Sequence, residues 1–381
     1  MILYSVALNN GGMRRVVESM IDFERTLPRS YPLKIIIFSP KRPKEAKSNR
    51  FFWIPWDESD APYTPKNVEK IRRRVDAIFE KSEPEWIVGD AMTLGYFQNL
   101  KSRICYDTHI LTRRFYQAFN QEKGMDAWNA IYPDPVVQYY HAFELSSLRS
   151  EARFMARAEC FIANSKTTTK DLKTIYADVV GKKKVFHVPV STVVTPLAKP
   201  TGKADPTTAD FLYTYSRLHL IKGWHQILGR NWRPLKIVLR GINPELLTKK
   251  LAASLLKNGI EARPWESDSE KLAQELIQSR AVLFPSIYEP WGLALQEALA
   301  LGKICIAHRN RSGHEEQIQN QVNGFLLDFS AADLKEKIQK ILAMPEKKLK
   351  QISEKAKHRS RMGHDARNKK LRQVFDRLRK L

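Results

Sequence analysis

The feature that most constrains the fold of this chain is a regular alternation of short apolar segments with longer helical patterns. Runs of β-branched and aromatic residues recur from the first residue onward, and segments with helical periodicity separate them. This order is typical of parallel sheets whose strands are joined by crossover helices. It is interrupted over 196–208 by a proline-containing stretch without periodicity, which predicts a linker.

The interrupted alternation predicts two separate α/β domains. We expect a first domain over 1–195, a second over 209–364, and a basic C-terminal helix over 365–381 that can pack back on the first domain through its apolar face. A chain of 381 residues is long enough for two domains of ordinary size. The predicted strands are Ile2–Leu8, Lys34–Phe38, Phe51–Ile54, Trp86–Val88, Arg103–Tyr106, Cys160–Ala163, Val185–Val188, Phe211–Tyr215, Leu235–Arg240, Ile260–Pro264, Ala281–Phe284, Ile304–Ala307 and Gly324–Leu327.

Composition excludes several classes of protein. Hydrophobic residues make up 43% of the chain and aromatic residues 10%, which is too much for an intrinsically disordered protein. Only three cysteines occur, far apart, so no disulfide framework is indicated and a reducing cytoplasm is the expected location. No stretch approaches the about 18 consecutive apolar residues of a membrane span, so we expect any membrane contact to be peripheral, at the inner face.

The charge of the chain is strongly positive, with 64 Lys and Arg against 41 Asp and Glu, a formal net charge of +23. Such a surface favours a polyanionic partner, whether nucleic acid, an anionic membrane or a phosphorylated substrate. Basic clusters at 41–47, 70–74 and Arg113-Arg114 lie in the predicted first domain. The alternative to a specific polyanionic partner is a basic surface that is simply solvated.

The most informative stretch of the sequence follows the predicted strand Ala281–Phe284. A loop there carries Glu289, a helix is predicted to begin near Gly292, and that helix carries Glu297. In open α/β sheets, ligands bind at the loops beyond the carboxyl ends of the strands. The N–H groups at a helix N-terminus favour phosphate, and ionised carboxylates accept hydrogen bonds from sugar or ribose hydroxyls.

This stretch resembles the Glu-Pro-x-Gly-x-x-x-x-Glu signature of retaining glycosyltransferases of family 4. Those enzymes have the GT-B architecture, an α/β fold of two facing Rossmann-like domains with a cleft between them. The resemblance implies that Glu289 contacts the donor sugar and that Glu297 binds the ribose. It further implies that backbone N–H groups of Trp291, Gly292 and Leu293 bind the sugar and the diphosphate. Two glutamates that merely cap or decorate a helix are the structural alternative.

A second element agrees with the family pattern. The predicted strand Phe211–Tyr215 is followed by Arg217 and then by a Lys222-Gly223 pair. By the resemblance, the two cations hold the nucleotide diphosphate, and their positive charge suits a departing anion. In the loop after Ile260–Pro264, Trp265 stands where the family usually has a glycine whose loop reads the nucleotide base. A packed tryptophan with a helix cap at Ser267 or Asp268 is the alternative there.

The first predicted domain offers weaker matches. Gly11 and Gly12 follow the first strand and resemble a Gly-Gly loop that lies near the donor sugar and the acceptor, with Arg14 and Arg15 close by on the acceptor side. His109 follows the strand Arg103–Tyr106, where many family members carry a histidine facing the donor sugar. Asp107 is a second candidate on the acceptor side, and a purely structural histidine is the alternative reading.

No metal or other cofactor is predicted. The segment His314-Glu-Glu-Gln317 lacks the second histidine of a zinc motif, and the chain contains no Asp-x-Asp motif. The predicted reaction is therefore metal-independent, with a nucleotide-diphosphate sugar as the donor substrate. No residue stands out as a nucleophile, and the resemblance implies same-face attack in which the leaving phosphate helps to remove the acceptor proton.

The leading hypothesis is a retaining glycosyltransferase that acts on a cell-envelope glycolipid or polysaccharide of the lipopolysaccharide type. A phage-type glycosyltransferase that modifies DNA bases is the first alternative, because phosphate contacts would also explain the positive charge. A non-catalytic protein that binds nucleotide sugars or polyanions is the second. The identity of the donor sugar, the base and the linkage is left open by the sequence.

Overall fold

The computed structural model describes most of the chain and divides it into two compact units. Unit 1 comprises 1–112, 145–193 and 364–381, and unit 2 comprises 113–144 and 194–363. The residues described are 1–7, 12–44, 46–56, 65–109, 111–121, 124–190, 211–216, 220–266, 268–361 and 363–381.

Unit 1 is built on a seven-stranded parallel sheet of order β3-β2-β1-β4-β5-β6-β7. Its strands are β1 (Ile2–Ala7), β2 (Leu33–Phe38), β3 (Phe51–Ile54), β4 (Trp86–Gly89), β5 (Arg103–Thr108), β6 (Cys160–Ala163) and β7 (Lys184–His187). The helices in the first half of the chain, of which α4 and α5 belong to unit 2, are α1 (Gly12–Arg25), α2 (Pro65–Phe79), α3 (Ala91–Leu94), α4 (Thr112–Gln121), α5 (Gly124–Asn129), α6 (Asp134–Arg157), α7 (Lys166–Thr174) and α8 (Ala177–Val180).

Side chains alternate between the two faces of the unit 1 sheet and enter two separate cores. Ile2, Tyr4 and Val6 of β1 pack in one core, whereas Leu3 and Ala7 pack in the other. This alternation is the period of two expected for a strand that is covered on both faces. The unit is therefore a three-layer α/β/α arrangement, as the sequence predicted.

Unit 2 contains a six-stranded parallel sheet of order β10-β9-β8-β11-β12-β13. Its strands are β8 (Phe211–Tyr215), β9 (Lys236–Arg240), β10 (Ile260–Arg263), β11 (Ala281–Phe284), β12 (Cys305–His308) and β13 (Phe325–Leu327). The remaining helices of the chain are α9 (His225–Leu228), α10 (Lys249–Ser254), α11 (Ser269–Gln278), α12 (Leu293–Ala300), α13 (Gly313–Gln317), α14 (Leu334–Leu342), α15 (Glu346–Arg361) and α16 (Gly363–Leu378). All thirteen predicted strands are present, with ends that differ from the predictions by at most two residues.

The C-terminal helix α16 belongs to unit 1. Its residues Leu371, Val374, Phe375 and Leu378 are buried in the core that also contains β1 and α1. The ring of Phe375 packs at 5.8 Å from that of Phe23, a spacing typical of aromatic pairs. The apolar stripe read from the sequence is thus the face by which this basic helix is held.

The segment over 113–144 packs with unit 2, although it precedes the linker by more than 50 residues. From the sequence, this segment was expected in the first domain. Phe115, Phe119, Trp128 and Ile131 join the core beneath β8, β9 and β11, and the Thr248 N–H donates to the Ile131 carbonyl at 2.9 Å. The difference arises because these apolar contacts join residues far apart in sequence, which local patterns do not report.

No helix in the described part of the chain is long and apolar enough to cross a membrane. The three cysteines are free thiols buried within their sheets. Cys105 and Cys160 lie opposite each other on β5 and β6. They serve as small apolar residues of the unit 1 core.

Candidate functional site

The candidate site in unit 2 lies where the strand order reverses. β8 and β11 are neighbours in the sheet, but the chain proceeds outward from them in opposite directions. Loops that leave such a pair at their carboxyl ends diverge and open a crevice, which is the usual ligand site of open α/β sheets. The loop after β8 carries Lys222, and the loop after β11 carries Glu289.

Lys222 and Glu289 form an ion pair across these two loops. Lys222 Nζ lies 2.5 Å from Glu289 Oε2, with side-chain exposures of 27% and 14%. The backbones of the loops are also joined, because the Ile287 N–H donates to the Ile221 carbonyl at 2.8 Å. Residues separated by 67 positions in the sequence are thereby fixed side by side.

The pKa of Glu289 reflects this pairing. Burial alone would raise the pKa of Glu289, but its interactions with neighbouring groups, led by the positive charge of Lys222, outweigh burial and hold the pKa below its usual value. Ser286 Oγ adds a weak hydrogen bond to the carboxylate at 3.5 Å. Glu289 is therefore an ionised hydrogen-bond acceptor at neutral pH.

The helix α12 begins directly after Glu289. Gly292, its N-cap residue, has a φ of 92°, a left-handed conformation that strongly favours glycine. No side chain in the described part of the chain caps this end, and the first turn contains no acidic residue, so the N–H groups from Leu293 onward are available to an anion. The Trp291 indole does not add a donor for an anion, because its Nε1–H donates to Gln296 Oε1 at 3.1 Å.

Glu297 lies one turn further along α12 and is half-buried. The Tyr215 hydroxyl, at the end of β8, contacts Glu297 Oε2 at 3.4 Å and donates to the Ala294 carbonyl at 2.8 Å. The second predicted carboxylate is thus on the same side of the sheet as the first, beside the strand that leads to Lys222.

A third loop of the site was missed by the sequence analysis. It follows β12 over 309–312 and leads into α13, and this segment is hydrogen-bonded to the Glu289 loop at several points. The Gly313 N–H donates to the Glu289 carbonyl at 2.7 Å, and Gln317 Nε2 donates to the carbonyls of Trp291 and Gly292. Asn310 Nδ2 donates to the Ser286 carbonyl. The sequence signal available was the Ser312-Gly313 pair after a buried strand, whereas the sequence prediction considered only the adjacent His314-Glu-Glu-Gln317, as a discounted zinc motif.

Trp265 lies at the carboxyl edge of the sheet, after β10. Its indole is 38% exposed, and its Cε3 is 3.3 Å from the position that a Cβ on Gly241 would take. Asp268 caps the following helix α11 by accepting from the Glu270 N–H at 2.9 Å, which confirms the expected helix cap, whereas Ser267 lies outside the described residues. The tryptophan is therefore partly packed and partly open to solvent.

In unit 1, Asp107 and His109 come together at the end of β5. His109 Nε2 lies 3.6 Å from Asp107 Oδ2, and the Tyr4 hydroxyl donates to the same oxygen at 2.5 Å. The pKa of Tyr4 is raised well above its ordinary value, mainly by burial and further by the nearby Asp107, so the phenol stays protonated. Asp107 is 6% exposed and already has a donor, so His109 is the more accessible of the two.

Several candidate residues cannot be placed in this geometry. Gly11 and Arg217 lie outside the described residues. The first turn of α1 contains Gly12, Arg14 and Arg15. The side chains of the two arginines are outside the described part of the chain. Their roles stay predictions. Among the described residues, no group of three or more His, Cys, Asp or Glu is placed to hold a metal ion.

Arg113 and Arg114 were expected in the first domain, and the structure corrects this. Both lie on α4, which belongs to unit 2. The Arg114 guanidinium lies 5.5 Å from the ring centre of Tyr288, the residue before Glu289. Arg114, from the first half of the chain, thus adjoins the loop that carries Glu289.

Comparison with known proteins identifies the region that carries this site. Residues 209–359 match the family model described as Glycosyl transferases group 1. No curated protein sequence matches the chain significantly.

Solved structures resemble the chain over nearly its whole length. Sucrose-phosphate synthase from Thermosynechococcus elongatus has a TM-score of 0.73 at 18% identity, with 99% of each chain covered. HepE from Anabaena, solved in complex with UDP and glucose, has a TM-score of 0.64 at 16% identity over 98% of this chain and 99% of that one. The catalytic domain of starch synthase IV from Arabidopsis thaliana, bound to ADP and acarbose, has a TM-score of 0.64 at 13% identity over 97% and 98%. The two parallel sheets and these similarities identify the fold as GT-B, with two Rossmann-like domains.

Proposed function

We propose that this protein is a retaining glycosyltransferase of the family 4 type, which moves a sugar from a nucleotide-diphosphate sugar to an acceptor hydroxyl. The observation that carries the proposal is the Lys222–Glu289 ion pair beside the uncapped N-terminus of α12, at the reversal of strand order. These residues lie within the region that matches the glycosyl transferases group 1 family. The site offers a cation, backbone N–H donors and an ionised carboxylate, which are the groups a diphosphate and a sugar require.

When the donor binds, Lys222 and Glu289 separate and each contacts a part of the donor instead. The diphosphate takes Lys222, whose charge stabilises the anion that develops as the sugar leaves. Glu289 is then free to accept hydrogen bonds from sugar hydroxyls, while Glu297 accepts from the ribose. Arg217 is the second cation expected on the diphosphate.

The transfer step needs no protein nucleophile. The bond between the anomeric carbon and the phosphate oxygen breaks, and the acceptor oxygen forms a new bond on the same face of the sugar. The acceptor proton passes to the departing phosphate oxygen. His109, with its imidazole near Asp107, is the proposed contact to the donor sugar from unit 1.

The acceptor that best suits the basic surface is an anionic cell-envelope glycolipid or polysaccharide, reached by peripheral contact with an anionic membrane from the cytoplasmic side. The net charge of +23 supports an anionic acceptor of either kind. Duplex DNA is the alternative acceptor, and its binding would show a steep dependence on salt.

A panel of nucleotide sugars tests the proposal. UDP-, GDP- and ADP-linked hexoses are incubated with the purified protein, and released nucleoside diphosphate is measured with and without detergent-solubilised envelope glycolipid. We expect one donor to be hydrolysed slowly alone and faster with acceptor. Tight binding without release would indicate a non-catalytic binding protein, and absence of binding to every donor would refute the proposed function.

A further inference from the structure

His314 lies inside the candidate donor site, although nothing in the family resemblance assigns it a role. It is the second residue of α13 and is 1% exposed. Its Cδ2 and Nε2 atoms are 2.8 and 2.9 Å from the position that a Cβ on Gly292 would occupy, and Glu289 Cγ is 3.1 Å from the same point. The imidazole edge and the Glu289 side chain therefore flank the N-cap of α12 together.

The imidazole packs edge-on against the ring of Phe284, with ring centres 5.9 Å apart, but it makes none of the hydrogen bonds that anchor this segment. The loop is anchored to its neighbour by Gly313, Gln317 and Asn310, through hydrogen bonds in which the His314 side chain takes no part. Its Nδ1 atom is buried and has no hydrogen-bond partner among the described residues. The ring therefore holds buried hydrogen-bonding capacity that the described part of the chain does not use.

The chemistry of the ring at neutral pH follows from its surroundings. Burial lowers the pKa of His314 to about 4, against the opposing effect of Glu289. The ring is therefore neutral and carries one N–H group. Of the two ring nitrogens, Nε2 is the one beside Gly292 at the N-terminus of α12, so we assign the proton to Nε2, where it faces the candidate ligand.

We propose that His314 is a further donor-binding residue, whose Nε2–H donates a hydrogen bond to the sugar-side phosphate of the nucleotide sugar beside the N-terminus of α12. This inference rests on the proposed function and names one more residue of the same site. A phosphate at this point would meet the uncapped N–H groups of α12, with Lys222 close by. A neutral donor adds to those groups without forming a competing ion pair with Glu289.

The test compares nucleotides that have the sugar-side phosphate with nucleotides that lack it. Binding of UMP and UDP, GMP and GDP, and AMP and ADP is measured by calorimetry for wild type, His314→Leu and His314→Gln. We expect His314→Leu to weaken binding of the preferred diphosphate about 10-fold or more, and to change binding of its monophosphate less than about twofold. Gln keeps an N–H donor, so His314→Gln should recover part of the loss.

A structural role predicts a different result. Equal losses for monophosphate and diphosphate, or no loss for either, would overturn the inference. His358→Leu, at an exposed position of α15, is the matched control and should bind as wild type does. If His314→Leu does not fold, imidazole ¹⁵N resonances of the wild-type protein decide the question. The diphosphate, and not the monophosphate, should shift the His314 Nε2 signal, and equal shifts would overturn the inference.

These outcomes are distinguishable from failure of the proposed function. Wild-type protein that binds no nucleoside diphosphate refutes both proposals. Wild-type protein that binds and turns over a donor, with His314→Leu indistinguishable from it, refutes only the role of His314.

Discussion

Glu289 is the residue on which the candidate site depends, because two opposing effects act on it. Burial disfavours its charge, whereas its neighbours, above all Lys222, favour the charge strongly enough to lower its pKa. The ionised carboxylate therefore depends on its partner for stabilisation. The sequence motif located Glu289, but the partner could be identified only from the three-dimensional structure.

Removing the partner of Glu289 should destabilise unit 2. Lys222→Met leaves a carboxylate that is 14% exposed without its cation, which we expect to cost about 2 kcal/mol, less than in a fully buried pair because Lys222 is 27% exposed. Urea denaturation measures the change in the free energy of unfolding. The double variant Lys222→Met/Glu289→Gln should recover part of the loss, and a single variant as stable as wild type would contradict the account.

His314 should make stability depend on pH. Its folded pKa of about 4 lies below its ordinary value of 6.5, so between these values the unfolded chain binds more protons than the folded one. Stability contributed by the neutral ring is complete above pH 6.5 and is lost as the pH falls toward 4. By about pH 5 the loss should reach about 2 kcal/mol.

Comparison with a variant isolates this effect. Free energies of unfolding are measured at neutral pH and at about pH 5 for wild type and His314→Gln. The variant should lose less stability on acidification, because it lacks the titrating ring. An identical loss in both proteins would show that His314 does not carry the pH dependence.

At the scale of elements, local patterns were sufficient for every strand and insufficient for one helical segment. Most of the strands are short apolar runs, and those in the middle of each sheet are buried on both faces, which gives them a distinct local signal. The segment over 113–144 has an ordinary amphipathic pattern, and its partner surface lies about 100 residues away in sequence. Which domain it joins is decided by tertiary contacts that a local pattern does not encode.

A matched pair of substitutions tests where this segment belongs. Ile131→Ala and Ile71→Ala remove similar buried side chains, the first from the 113–144 segment and the second from α2 of unit 1. Each should cost roughly 2–4 kcal/mol. Hydrogen exchange should show lost protection around β8 and β9 for Ile131→Ala, and around β2 and β4 for Ile71→Ala. Loss in unit 1 for both variants would contradict the assignment of the segment to unit 2.

For the molecule as a whole, the net charge of +23 predicts binding to anionic surfaces that weakens with salt. The triple variant Lys70→Glu/Arg73→Glu/Arg74→Glu changes an exposed basic cluster on α2 of unit 1. Lys347→Glu/Lys348→Glu/Lys350→Glu makes the same charge change on α15 of unit 2 and is its matched control. Sedimentation with vesicles of anionic phospholipid should fall about tenfold for the first and much less for the second.

Binding to duplex DNA in the same buffers is the comparison that identifies the acceptor class. Strong DNA binding with a steep salt dependence and no vesicle binding would replace the envelope acceptor with DNA. Equal losses for the two triple variants would mean that the charge acts as a general surface property. The sequence predicted the sign of this effect, and the structure adds which exposed clusters belong to which unit.

The central claim is that the Lys222–Glu289 pair serves a nucleotide-sugar donor, and steady-state turnover tests it most directly. With the donor that wild type accepts, kcat/KM is measured for Lys222→Ala and Glu289→Gln, and for Lys236→Ala and Glu261→Gln from a second Lys–Glu pair in unit 2. We expect each change in the first pair to lower kcat/KM by about 100-fold or more, and each change in the second pair to leave it within about threefold. Turnover that survives in both Lys222→Ala and Glu289→Gln at the level of these controls would contradict the account.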